Sequence, residues 1–74
     1  MGTKLALTIE EAAEYTGIGR NTLRQLIRWN SFPVMRIGRK QLIRTDTLNE
    51  FLTLNQNIDL RDRSAIRPVP QQTN

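Results

Sequence analysis

The chain has no cysteine and no histidine. The first absence excludes a disulfide framework and a thiolate metal site. The second removes the usual general base and the commonest nitrogen ligand for metals. Aromatic residues are 5% of the 74, and no apolar run exceeds three residues. A membrane span needs about 20 consecutive apolar residues, so none is expected, and the N-terminus is too polar for a secretory signal. A folded unit of this size buries only ~60% of the surface its unfolded chain exposes. Its core is modest, and an enzyme-sized cleft has no room beside it. The expectation is one small domain without catalytic residues, metal or cofactor.

A further absence is regional. From Tyr15 to Thr45 there are seven Lys and Arg and not one Asp or Glu. The acids stand before this stretch (Glu10, Glu11, Glu14) and after it (Asp46, Glu50, Asp59, Asp62), in a chain of net charge +4. One positive face is implied, and polyanions are its natural partners.

What is present is a succession of short elements. In "LTIEEAAEYTG", Thr8 and Glu11 have capping-box spacing. Acids in the first turn suit the helix dipole, and Gly17 is a good stop. A helix over Ile9–Thr16 follows, with Ile9, Ala12, Ala13 and Thr16 on one face. After Ile18-Gly19, "RNTLRQLIRW" predicts a second helix over Arg20–Trp29. Leu23, Leu26 and Ile27 share its inner side, and Asn21, Arg24, Gln25 and Arg28 the opposite one. Two short helices joined by a Gly-containing turn make a helix-turn-helix. Pro33 disfavours helix at Phe32 and closes the second one.

"VMRIGRKQLIR" predicts a hairpin of Val34–Ile37 and Gln41–Arg44, turning at Gly38-Arg39-Lys40. Met35, Ile37 and Ile43 would share one side, with Arg36 and Arg44 on the other. Thr45 is placed to cap a third helix over Asp46–Leu54, with Leu48, Phe51 and Leu52 facing inward. The result is an α+β chain: a small winged helix-turn-helix domain over residues 1–55 and a flexible polar tail over 56–74. Little fixed structure is expected from about Asn57 onward. Ile58, Leu60 and Ile66 could form a helical turn on a partner.

The second helix of a helix-turn-helix presents its N-terminal residues to base edges in the major groove. Arg can read guanine, Asn and Gln adenine, and Thr either a base edge or a thymine methyl. Arg20, Asn21, Thr22, Arg24 and Gln25 therefore have suitable chemistry, with Arg28 further along suited to phosphate. At the wing, Arg39 and Lys40 are placed to reach a neighbouring minor groove. Arg36 and Arg44 are backbone-contact candidates. Trp29 and Tyr15 read as packing residues, and the three early acids as a solvated helix start.

"LTIEEAAEYTGIGRNTLRQLI" with "RIGRKQLIRTDTLNEFL" resembles the excisionase-like, MerR-related winged-helix DNA-binding domains, and most nearly the excisionases of Tn916-type conjugative transposons. The resemblance covers Leu5–Leu54. It implies a recombination directionality factor of a bacterial cytoplasm. Such proteins bind repeated sites in attachment-arm duplex DNA, bend it, and help a tyrosine integrase excise the element. Adjacent copies would assemble on the repeats. Carried over by position, Arg20, Asn21, Thr22, Arg24, Gln25 and Arg28 form the major-groove set, and Gly38, Arg39 and Lys40 the wing. This chain departs from many relatives in having Gly19 where they cap with Ser or Thr, and Gln41-Leu42 where they carry an aromatic or basic residue. The same domain also serves small transcriptional regulators, which is the alternative role. A winged-helix protein adaptor that ignores DNA is a third.

Overall fold

Thr8 is where extended chain becomes helix. In the computed structural model, which describes residues 4–70, its hydroxyl accepts from the Glu11 N–H at 3.1 Å, and the Glu11 carboxylate accepts from the Thr8 N–H at 3.0 Å. This reciprocal pair starts helix α1, Ile9–Thr16. Gly17 ends it at φ 78°, and its N–H donates to the Ala13 carbonyl. A Cβ resists that left-handed conformation, so glycine suits the corner into α2, Arg20–Arg28.

α2 stops earlier than Pro33 would require. Asn30 takes φ 57°. The Asn30 N–H bonds the Ile27 carbonyl and the Ser31 N–H the Leu26 carbonyl, both at 3.0 Å. This crossed pair is a Schellman closure, and Trp29 is left as the cap rather than the last helical residue.

Three strands follow the order β1-β3-β2, all antiparallel, where two were expected. They are β1 (Ala6–Thr8), β2 (Met35–Ile37) and β3 (Lys40–Arg44). β1 is too short to show periodicity, and only pairing with β3 makes it a strand. The hairpin turn has two residues, Gly38 and Arg39, because Ile37 pairs directly with Lys40. Gly38 stands at φ 61° while Arg39 does not share the positive φ, as in a type II′ turn.

Turn length decides which side chains share a face. A three-residue turn would place Met35 opposite Ile43; the observed turn places it opposite Leu42. A one-residue shift moves side chains to the other face. Ile43 therefore sides with Leu7, its β1 partner, and points inward. The expected grouping of Ile43 with Met35 and Ile37 is thus corrected, and those two are 43% and 63% exposed. Arg36 and Arg44 lie on opposite faces, not one.

Helix α3 spans Thr45–Leu54. Thr45 is its first residue rather than its cap, and its hydroxyl donates to the Lys4 carbonyl. Arg44 stands at the cap position without a side-chain bond, and within the first turn the Asp46 carboxylate accepts from the Thr47 N–H at 2.9 Å. Ala12, Leu23, Leu26, Ile43, Leu48 and Phe51 are wholly buried at the centre, with Phe32 set against Phe51 edge-to-face at 5.1 Å. Such a ring pair adds about 0.5–1.5 kcal/mol beyond area burial. Leu52, expected inside, is partly buried against this core.

The chain after α3 folds back on the domain, where little fixed structure was expected. Asn55 is buried, and its amide donates to the Phe51 carbonyl at 2.8 Å and the Arg67 carbonyl at 2.9 Å. Its carbonyl oxygen accepts from the Arg67 N–H at 2.8 Å. Val69 enters the core and its N–H donates to the Ser31 carbonyl at 2.9 Å. Leu60 and Ile66, expected on a partner, pack against the chain's own core. Composition concealed this because the anchors are few and widely spaced. Residues 71–74 of the expected tail lie outside the described residues.

Candidate nucleic-acid interface

α2 divides cleanly. Leu23, Leu26 and Ile27 are buried, while Asn21, Arg24, Gln25 and Arg28 are exposed on the opposite side. Thr22 lies on the flank, partly covered. The first turn holds no acid, and Gly19 supplies no side-chain cap. The backbone donors of that turn are therefore unsatisfied by any local side chain. Arg24 and Arg28 stand one turn apart, a like-charge spacing that costs an isolated helix a few tenths of a kcal/mol.

Among the described residues, Arg24, Arg28, Arg36, Arg39 and Lys40 make no ion pair. Arg20 differs. Its guanidinium donates to Glu10 of α1 at 3.2 Å, with both side chains more than half exposed. An exposed pair of this kind is worth ~0–1 kcal/mol, so it tethers Arg20 without locking it. Arg44 is held more firmly, with its Nε and Nη2 both 3.0 Å from the Asp46 carboxylate. This occupies its donor fork at the start of α3.

Gly38 and Arg39 form the tip of the wing, and Lys40 opens β3 beside the exposed Ile37. The expected three-residue tip thus becomes two residues with the lysine on the strand. The wing presents two cations and an exposed β-branched side chain together.

Trp29 is partly buried against the core, with the Arg63 guanidinium over its ring at 5.9 Å from the centroid. Tyr15 is not a packing residue: it is 45% exposed, and its hydroxyl accepts from the Asn49 amide at 3.1 Å. Glu11 bonds Lys4 as well as closing the capping box. The Lys4 bond first, then the Thr8 N–H, hold its carboxyl down at about 2 against an ordinary 4.5. Asp59 is also held below its usual value, chiefly by the Arg61 N–H.

Sequence reasoning missed the folding-back that buries Asn55 and Val69 and brings Arg63 over Trp29. Asn55 and Val69 carried no local signal. The spacing of Arg63 from Trp29 becomes contact only when the chain folds back. No helix of the described residues is long and apolar enough to cross a membrane.

A helix-turn-helix domain family model matches residues 6–55, from β1 to the residue that ends α3. No curated protein and no solved structure matches the chain. The match spans the α1-corner-α2 unit, the wing and the closing helix, and it supports sequence-specific DNA binding. The chain belongs to the helix-turn-helix domain family.

Proposed function

We propose that this chain is a small architectural DNA binder of the excisionase type. α2 enters the major groove, with Asn21, Thr22, Arg24 and Gln25 toward base edges and Arg28 toward phosphate. Arg20 joins them by exchanging Glu10 for DNA. Gly38 shapes the wing so that Arg39 and Lys40 reach the adjoining backbone or minor groove. Arg36 is a further backbone contact, and Arg44 becomes one only by leaving Asp46. The observation that carries DNA binding is the outward face of α2: exposed Arg, Asn and Gln, no acid, and two arginines without carboxylate partners.

The directionality role rests on the resemblance over Leu5–Leu54 and on a family that includes excisionase-like proteins. A monomer this small makes few phosphate contacts. Adjacent copies on repeated sites, or contact with a tyrosine integrase, would raise its effective affinity through multivalency.

The test is binding to attachment-arm duplexes of the host element against scrambled duplexes across a salt series. Preference for arm DNA with stepwise complexes supports the reading, and an integrase excision assay follows. Preference for a promoter duplex would point to a transcriptional regulator instead. Arg24→Ala should cost ~1–3 kcal/mol of discrimination at one base position. Lys40→Ala should weaken all sequences alike and lower the salt slope by ~1. Equal losses on every sequence for Arg24→Ala would reject its base-reading role.

A further inference from the structure

The segment after α3 lies beyond the matched residues 6–55, yet it is tied to the domain at several points. Asn55 clamps both backbone groups of Arg67, and Val69 is buried. Between Asn55 and Arg67 runs a 3₁₀ turn, Arg63–Ala65, capped by the Asp62 carboxylate, which accepts from the Ser64 N–H and hydroxyl. The turn brings Arg63 over Trp29. Trp29 caps α2 and stands one turn beyond Gln25, and it follows Arg28 directly. Arg63 thus comes from outside the helix-turn-helix to the end of the proposed recognition helix.

We propose that residues 58–70 are a strap that extends the DNA-contacting surface, with Arg63 as a phosphate contact at the C-terminal end of α2. This deepens the DNA-binding reading and rests on it. Three observations carry it. The acids of the strap are engaged locally: Asp59 binds the Arg61 N–H and lies 3.5 Å from its guanidinium, and Asp62 caps the turn. Arg63 has no carboxylate partner among the described residues. The Arg63 guanidinium carbon lies over the Trp29 ring, 5.9 Å from its centroid, so a guanidinium with no carboxylate partner among the described residues stands at the C-terminal end of α2, and such a group grips phosphate oxygens. The C-terminal end of a recognition helix lies toward the sugar-phosphate backbone rather than the base edges, so phosphate is the fitting partner there. The anchors at Asn55 and Val69 also order the strap before binding, which removes that entropic cost from the complex.

The experiment measures duplex binding of the full chain against salt for wild type, Arg63→Gln and Arg63→Lys, with thermal unfolding of each. Losing one phosphate contact makes the log–log salt slope shallower by ~0.9. The expected result is that shift for Arg63→Gln, on arm and scrambled duplexes alike, with Arg63→Lys keeping the wild-type slope. An unchanged slope for Arg63→Gln while wild type still binds duplex DNA overturns the strap's role and leaves the α2 reading intact. Failure of wild type to bind any duplex overturns both. A drop in melting temperature with an unaltered slope would mark Arg63 as a packing residue and also overturn the proposal.

Discussion

α1 and α2 are neighbours of similar length that begin in opposite ways. α1 starts with a complete capping box, two acids in its first turn and a lysine bonded to one of them. α2 starts at a glycine with no side-chain cap and no acid. The side-chain cap and the first-turn acids that stabilise a helix start are present in α1 and absent from α2. The opening turn of α2 keeps its backbone donors free of any side-chain cap, and Asn21, Arg24, Gln25 and Arg28 stand exposed on its outward face. Places where local rules are relaxed are where function is to be sought. α2 then depends on its buried side for position, while α1 is secured at its own start as well.

The largest expected effect breaks α2 at that dependence. Leu26→Ala should cost about 2–5 kcal/mol, the range for removing a fully buried leucine, read as a lowered denaturant midpoint. A loss under ~1 kcal/mol would show that the inner face is not what holds α2. Next, Thr8→Ala should cost ~1 kcal/mol through the lost cap of α1, checked by the same titration. A neutral result would mean that the capping box contributes nothing to the contrast.

The third concerns pH. Glu11 is held at about 2 in the fold against an ordinary 4.5. A lowered carboxyl stabilises the fold when ionised, so its contribution is complete above 4.5 and fades as pH falls toward 2. Glu11→Gln should flatten the fall in melting temperature across that window. An identical acid profile for wild type and variant would discount the interaction. The smallest effect sharpens the comparison from the other side. Gly19→Ser, giving α2 the cap it lacks, should add a few tenths of a kcal/mol, or roughly 1–3 °C in Tm for a domain of this size.

Legibility in the sequence followed the range of the interactions. The bounds of α1, its cap and its glycine stop depend on residues within four positions of each other, and all were readable. So were the two sides of α2, because 3.6-residue periodicity is local. The wing was readable as a hairpin but not in register. Its turn length decided whether Ile43 sat with Met35 or with Leu7, and the sequence around Gly38 allowed either. Helix α3 was placed within a residue, but its cap position is Arg44 rather than Thr45. The strap was misread because polar composition outweighed three anchors, Asn55, Ile66 and Val69.

By itself, then, the sequence determined the helices, the inward apolar stripe of α2 and the acid-free run from Tyr15 to Thr45. These follow from backbone capping and side-chain spacing within a few residues. Only the tertiary structure decided that Ala6–Thr8 is a strand, that Glu10 holds Arg20, and that Arg63 lies over Trp29. In β1 and Arg63, partners more than 30 residues away in the chain set the outcome. Even the nearer pair, Glu10 and Arg20, depends on where a turn points. Such contacts form only when the whole core closes, because burial of Leu23, Phe51 and Val69 together offsets the entropy of bringing distant segments into place.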